Sequence, residues 1–517
     1  MTAPVDFATL EAEILARAPE HTPHPSLDRV RWVCEYLGDP QAAYPVVHLT
    51  GTNGKTSTAR MVDRLLREHG LRTGRFTSPH LAHVGERIVV DGVRLREDRF
   101  VAAWHDIAPY VALADERSGD AGGPRLSFFE VLTCLAFAVF ADAPVDVAVL
   151  EVGLGGLWDS TNVADGAVAV VTGVDLDHER WLGRTLAEIA EQKAGIVKPG
   201  AVAVLARQSP AAAEILRRRC EAVGAEVRVE GEHFGVVERL LAVGGQRLEL
   251  RTGHGSVDDV YLPLHGAHQA VNAACALAAA EAFLVGDRGG ALAPDVVRDA
   301  FAHVDSPGRL EVVGRRPLAV VDAAHNPAGS RAVAAALPEA FPGARFIAVL
   351  GVMADKDAVG IAAGLGTAVD TVIVTESASA RALPTDDLAD AVEQARPGGR
   401  VVVEPDLEAA LHTARALAVD VDEAAAVDAA RTGAVLGGVI VAGSIYLAAE
   451  ARRLLGAADP DTVAVDTTRR ALGGEDVGDD DGEDDSGEYG GGEYGGEYGG
   501  GHGDGGQYGD GDGADRP

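Results

Sequence analysis

The chain has 517 residues and a formal net charge of −34, with 79 Asp and Glu against 45 Lys and Arg. That length exceeds one ordinary core and predicts two domains plus additional material, and a 47% hydrophobic share supplies the apolar surface to bury. The acidic balance speaks against sequence-independent binding to nucleic-acid phosphates, which requires clustered Lys and Arg.

No basic stretch followed by an apolar run opens the sequence, so no secretory signal is expected. The longest apolar stretch, from Phe128 to Ala143, is broken by Glu130 and too short to span a bilayer. A cytoplasmic monomer with no membrane partner is the expectation. Cys34, Cys134, Cys220 and Cys275 show no C-x-x-C spacing and read as core thiols.

In chain order, short β-branched runs alternate with longer helical patterns. The first series places strands at Val46–Leu49, Gly74–Thr77, Val145–Val152, Ala167–Thr172 and Ala201–Ala206. Pro307-Gly308 marks a break, after which a second series places strands at Leu318–Asp322, Arg345–Gly351, Thr371–Thr375, Val401–Val403 and Gly438–Ala442. This alternation predicts an α/β fold of parallel sheets with crossover helices. The predicted domains are residues 1–305, 306–456 and a tail, 457–517. Much of the negative charge lies beyond Ala471, among repeats such as Gly487-Glu488-Tyr489-Gly490. Such a composition cannot bury enough apolar area to offset chain entropy and predicts disorder.

Directly after the first strand comes Gly51-Thr52-Asn53-Gly54-Lys55-Thr56, leading into a helical pattern that runs to Glu68. A glycine-rich turn at a helix N-terminus aims backbone N–H groups at anionic oxygens, and Lys55 can reach terminal phosphates. The spacing is shorter than the common P-loop, with Leu49 where its first glycine would stand. The competing reading is an ordinary βα turn.

Three further polar positions follow predicted strands of the same sheet: Ser78, Glu151 and His178. Ligands of open α/β sheets sit beyond the carboxyl ends of strands, so all three would face the phosphate loop. Mg²⁺ takes oxygen donors while bridging phosphates, which suits Ser78, Glu151 and Thr56. His178 suits it less well and could bind through water. Taken singly these are a turn, a strand-end charge and a capping or core histidine; their shared position favours a site.

The motifs Gly51–Thr56, Thr77-Ser78-Pro79-His80-Leu81, Leu150-Glu151-Val152-Gly153-Leu154-Gly155-Gly156, Asp177-His178 and Gln192-Lys193-Ala194-Gly195-Ile196 resemble the folylpolyglutamate synthase and dihydrofolate synthase family of Mur-ligase-like amide ligases. The resemblance continues through His268-Gln269, Asn272, Pro307-Gly308-Arg309-Leu310-Glu311, Asp322-Ala323-Ala324-His325-Asn326-Pro327, Asp355-Lys356-Asp357 and Gly443-Ser444, spanning about residues 25 to 455. It implies an N-terminal P-loop domain of the Mur-ligase type and a smaller, Rossmann-like C-terminal domain. By the same resemblance, Ser78, Glu151 and His178 hold metal, and Asn272, Arg309, Asp322 and His325 meet ATP across the cleft. Lys55, His178 and Lys193 then serve the reaction, with Lys193 carbamylated into a carboxylate-like ligand. Phe128, Phe129, Glu130 and Asp159 resemble the pterin-contacting residues, although Phe128-Phe129 also opens an apolar helix whose usual fate is the core. One departure is Leu157-Trp158 before Asp159, where many relatives carry an arginine.

The chemistry so implied is ATP-dependent and uses Mg²⁺. The γ-phosphoryl group activates the carboxylate of dihydropteroate or a reduced folate as an acyl phosphate, and L-glutamate's amine attacks it. No Ser-His-Asp or catalytic-Cys pattern competes with this. The alternatives are folylpolyglutamate synthesis alone, a Mur-type ligase acting on a cell-wall precursor, a P-loop kinase, and a nucleotide-binding scaffold whose acidic tail recruits partners. Deleting the acidic tail should leave turnover, measured as ADP release, within about twofold of the full chain if the protein is a ligase; a scaffold would instead lose its partners.

Overall fold

The computed structural model describes residues 6–19, 24–286, 289–432 and 436–458, with side chains omitted over 422–432. The predicted disordered tail lies outside the described residues, apart from 457 and 458.

The first sheet has eight strands: β1 (Val46–Thr50), β2 (Thr73–Phe76), β3 (Ile88–Val90), β4 (Val93–Arg94), β5 (Val147–Glu151), β6 (Gly166–Val171), β7 (Val202–Leu205) and β8 (Glu226–Val229). Their order is β4-β3-β2-β5-β1-β6-β7-β8. The run from β2 to β8 is parallel, and β3 and β4 add an antiparallel edge. All five strands expected here from the sequence are present. The β3–β4 edge was not expected, because two and three residues are too few to show a period-2 pattern.

Strands buried on both faces read as continuous apolar runs, and β1 and β5 are buried along their whole length. Val47 and Leu49 face one side and pack with the helices Lys55–Glu68 and Ala267–Leu284. Val46, Ala148 and Leu150 face the other side, beneath the helix Phe128–Asp142. That helix is started by a capping box in which Ser127 Oγ accepts from the Glu130 N–H and Glu130 reaches back to the Ser127 N–H.

A three-stranded antiparallel sheet follows: β9 (Gly235–Ala242), β10 (Gly245–Thr252) and β11 (Gly255–Leu262), in order β11-β10-β9. It interrupts the expected βα alternation. Leu248, Leu250, Val260 and Leu262 pack it onto the helix Ala267–Leu284, while half of β9's residues are exposed at the edge.

The last sheet comprises β12 (Glu311–Arg315), β13 (Leu318–Val321), β14 (Ala344–Leu350), β15 (Val369–Val374), β16 (Arg400–Val403) and β17 (Leu436–Ala442), ordered β12-β13-β17-β14-β15-β16. It is parallel except for β12, which pairs antiparallel with β13. Helices Pro327–Ala340 and Leu407–Thr432 cover its two faces. Here too the five strands read from the sequence are present.

The β2-β5-β1-β6 register determines where the site forms. Phe76 lies opposite Leu150, Leu49 opposite Glu151, and Thr50 opposite Val171. Four loops therefore leave the sheet side by side. Phe137, fully buried under this region, tests how far the platform depends on its core. Phe137→Ala should lower unfolding free energy by roughly 3–5 kcal/mol, read from the denaturant midpoint at unchanged slope.

Candidate active site

At the end of β1 the chain turns through Gly51–Gly54 into the helix Lys55–Glu68. Gly51 (φ +151°) runs so close to the neighbouring strand end that a Cβ there would lie 1.7 Å from Thr172 Oγ1. Gly54 (φ +86°) caps the helix, where a Cβ would meet Asn272 Oδ1 at 2.5 Å. Only glycine fits both constraints, and the N–H groups of the first helical turn are left pointing at open space.

Lys55 Nζ folds back onto the carbonyls of Gly51 and Thr52, each at 3.2 Å. Burial lowers its pKa from the ordinary lysine value, while Glu151 and Asp177 oppose the shift. Glu151, at the end of β5, accepts from Thr56 Oγ1 at 2.9 Å and from the Ser78 N–H at 3.3 Å. Burial raises its pKa, with Lys55 pulling the other way. Thus Ser78, Thr56 and Glu151, which come from three segments of sequence, form one polar corner.

Lys193 enters from the helix Leu186–Ala194 and donates to the Gly51 carbonyl at 2.7 Å. Burial, reinforced by the nearby Lys55 charge, lowers its pKa to about 7. An amine with that pKa is largely neutral just above pH 7 and nucleophilic toward CO₂.

The loop after β6 carries Asp177 and His178, the latter in a left-handed conformation (φ 51°). Asp177 is where the two large sheets' loops meet. Its carboxylate lies 2.5 Å from Lys356 Nζ, 3.0 Å from Asn326 Nδ2 and 3.4 Å from His325 Nε2. Burial works to raise its pKa, but the His325 hydrogen bond and the surrounding cations hold it well below the usual carboxylate value. His178 Nε2 lies 3.5 Å from Lys356 Nζ, with its side chain 37% exposed; desolvation lowers the ring's pKa, Asp177 opposes the shift and the Lys356 charge adds to it. Asn53 and Asn326 join their side chains across the same junction at 3.0 Å.

Arg309, Asn272, Asp322 and His325 all line one cleft of about 1550 Å³ together with Lys55, Glu151 and His178. Asp322 is already engaged with backbone, accepting from the N–H groups of Leu310 and Ala324 at 2.8 and 2.7 Å. It shapes the turn that presents Arg309. Asn272 is held by Gln269 Oε1 at 3.0 Å.

The four residues expected to contact a pterin also lie on the cleft wall, but not with free polar groups. Glu130 is paired with Arg29 at 2.8 Å and with the Ser127 N–H. Asp159 accepts from the Leu154 N–H at 2.9 Å and from both the N–H and the hydroxyl of Thr161. Burial raises Asp159's pKa to about 6. Phe129 packs against Phe76 with ring centroids 5.6 Å apart, and Phe128 lies beneath the Arg87 guanidinium at 4.9 Å. The aromatic pair therefore belongs both to the core and to the wall.

Sequence reasoning did not include Lys356, Asn326 or Arg87 among the site residues. Lys356 and Asn326 sit in motifs that were singled out, Asp355-Lys356-Asp357 and His325-Asn326-Pro327, but nothing local shows that they would reach Asp177. Among the described residues no group of three or more His, Cys, Asp or Glu is placed to hold a metal ion by itself. A divalent cation would thus rest on Glu151, hydroxyl oxygens and phosphate, a donor set that fits Mg²⁺.

Two family models match the chain: the Mur ligase middle domain over residues 125–280, and the Mur ligase glutamate ligase domain over residues 308–431. The chain is 46% identical over 450 residues to a dihydrofolate synthase/folylpolyglutamate synthase of Mycobacterium tuberculosis, covering 85% of this chain and 92% of that protein. It is 34% identical to a folylpolyglutamate synthase of Lacticaseibacillus casei, with 69% and 82% covered. Crystal structures of the M. tuberculosis folylpolyglutamate synthase complexed with ADP and AMPPCP superpose with a TM-score of 0.80 at 44% identity, covering 88% of this chain and 99% of that one. An FPGS–AMPPCP–folate complex superposes with a TM-score of 0.73 at 30% identity, with 87% and 100% covered.

The Lys193 amine is charged below about pH 7 and neutral above it, so carbamate formation should grow as pH rises through that value. Carbon NMR with isotopically labelled bicarbonate should show a carbamate signal that strengthens across this range and is absent from Lys193→Met. A signal that persists in the variant would place the modification elsewhere.

Proposed function

The chain belongs to the dihydrofolate synthase/folylpolyglutamate synthase family, and from that premise we propose how its residues carry the family's reaction. It is an ATP-dependent ligase that forms an amide between L-glutamate and a folate-type carboxylate, acting on both dihydropteroate and reduced folates. The observation that carries this reading is the corner where Lys55, Thr56, Ser78 and Glu151 meet at the carboxyl ends of β1, β2 and β5, opposite Arg309 across the cleft.

A carboxylate resists attack by an amine because it is anionic and its oxygen is a poor leaving group. Transfer of the ATP γ-phosphoryl group to that oxygen yields an acyl phosphate and ADP. Attack by the glutamate nitrogen then forms the C–N bond, expels phosphate and releases a proton. Catalysis consists mainly of positioning and of stabilising charge on the transferring group.

The Gly51–Thr56 backbone cradles the phosphates at the positive end of the Lys55–Glu68 helix. Lys55 swings from its two carbonyl partners onto the terminal phosphate, and Arg309 offers a planar fork from the other lobe. Glu151, Thr56 and Ser78 would hold Mg²⁺, and His178 lies where it could add to that set directly or through water. That ion, when bound, neutralises phosphate charge. Carbamylation of Lys193 would turn a buried neutral amine into an anion beside this cluster. His325, Asn272 and Asp322 frame the nucleotide from the second lobe.

Phe128, with Arg87 over its ring, offers a flat wall for the pterin, and Glu130 and Asp159 keep the pocket's shape through Arg29, Ser127, Leu154 and Thr161. Lys356, held at the cleft by Asp177, would meet a carboxylate of the incoming glutamate. We place the enzyme in the cytoplasm as a monomer divided near residues 303–308, with no membrane or nucleic-acid partner; no described helix is long and apolar enough to cross a membrane.

The decisive experiment supplies purified protein with Mg²⁺, ATP and L-glutamate plus either dihydropteroate or tetrahydrofolate, and follows ADP together with product mass. Addition of one glutamate to each acceptor is expected, and Lys55→Ala should slow it by roughly a hundredfold or more. A folded, ATP-binding protein that conjugates neither acceptor would overturn the folate assignment in favour of another Mur-type substrate.

A further inference from the structure

His48 lies in the middle of β1, fully buried, on the sheet face that carries Val46 and the helix Phe128–Asp142. A histidine there is costly unless its ring is satisfied, and burial drives its pKa to about 3. Its Nε2 lies 2.9 Å from Thr161 Oγ1. The same hydroxyl lies 2.5 Å from Asp159 Oδ1.

The proton count at Thr161 determines every direction in this chain. A hydroxyl has one proton, and an ionised carboxylate can only accept. The Thr161 proton therefore goes to Asp159, which requires His48 to donate from Nε2 and leaves Nδ1 bare. His48 Nδ1 indeed has no hydrogen-bond partner. A neutral imidazole in the Nε2–H form thus supports a threonine that supports an aspartate.

Asp159 is the residue that closes the loop Gly153–Trp158 on itself. It caps the short helix Ser160–Val163 through Thr161 and takes the Leu154 N–H from the loop's other end. Asn162 ties the same loop to the Lys193 helix region through the carbonyls of Leu157 and Gly195 at 3.0 and 3.2 Å. Gly153, Leu154, Trp158 and Asp159 all line the cleft on the side of Phe128 and Phe129, whereas His48 does not reach it.

We propose that His48 is a positioning residue: by donating to Thr161 it holds the Asp159 carboxylate as the clamp of the glycine-rich loop, and so sets the fit of the pterin-bearing acceptor. This rests on the function proposed above. The donor chain would matter in this position because one carboxylate oxygen serves two Thr161 groups at once. Without His48, the Thr161 oxygen loses its donor, and the bond that its proton makes to Asp159 is no longer polarised and oriented from behind.

His48 stands only three residues before Gly51, so an effect on nucleotide binding must be separated from an effect on the acceptor. The test measures KM for dihydropteroate, ATP and L-glutamate, together with thermal midpoints, in the wild type and in His48→Phe, His48→Gln, Thr161→Val and Thr161→Ser. His48→Phe and Thr161→Val should each raise the dihydropteroate KM about tenfold, as expected for the loss of roughly one buried hydrogen bond, with the ATP KM within about twofold. His48→Gln and Thr161→Ser keep a donor and a hydroxyl and should recover most of that loss.

An unchanged acceptor KM in folded His48→Phe and Thr161→Val would overturn the inference. So would a parallel rise in all three constants with a falling thermal midpoint, or conservative variants no better than the disruptive ones. If the wild type makes no conjugate, the functional reading fails first, and that result is distinct from wild-type turnover with insensitive variants.

Discussion

The structure depends first on keeping a lysine and a carboxylate out of water at neighbouring strand ends. Burial moves Lys55 and Glu151 in opposite directions, each toward its neutral form, and each is restrained by the other's charge. Removing one would take away a charge that restrains the other's shift, leaving Lys55 to its carbonyl partners and Asp177, and Glu151 to Thr56, Ser78 and Arg309. The parallel register of β1 with β5 is what brings the two together, and the glycines at 51 and 54 allow the backbone to approach closely enough for both to be enclosed. The Gly51–Gly54 turn, the corner of Thr56, Ser78 and Glu151, and the buried Lys193 are all arranged around that enclosure.

A second constraint comes from the meeting of the two large sheets' loops. Their contacts here include Asp177 with Lys356 and Asn326, and Asn53 with Asn326; beside them the Lys55–Glu68 helix meets the segment that joins the two sheets through Ser57 with Ser306 at 2.9 Å and Arg60 with Asp305 at 2.8 Å. Polar junctions of this kind resemble transient interfaces more than a continuous core. They suit a reaction whose substrates must enter and then be closed off from water. Lys356 and His325 are available to the first sheet's loops only because that junction forms.

Lys55, Thr56, Ser78 and Glu151 could be expected in one crevice from the sequence because each follows closely on a strand, and strand ends on one sheet face one crevice. Carboxylates were harder to read. Glu130, Asp159 and Asp322 carry the residue type expected of ligand contacts, yet each spends its oxygens on holding local backbone, with Glu130 also paired to Arg29. Spacing in the chain cannot separate an acid that binds a substrate from one that shapes the loop beside it. The β9–β11 sheet escaped for another reason. It packs one face on a helix and leaves its edge strand exposed, so its apolar pattern is weak and matches neither period well.

What the sequence by itself determined was the order of strand, loop and helix in both series, the glycine-rich turn into the Lys55–Glu68 helix, and the family. These follow from local chemistry: glycine's backbone freedom, β-branched runs and helix starts act within a few residues of one another. Only the tertiary structure decided which groups are charged and whom they meet. Lys193 has a pKa of about 7 because packing excludes water around it and places Lys55 nearby. Asp177 and Lys356 meet across a separation of 179 residues. Protonation depends on the solvent and charges surrounding a group, and those surroundings exist only after distant segments have packed.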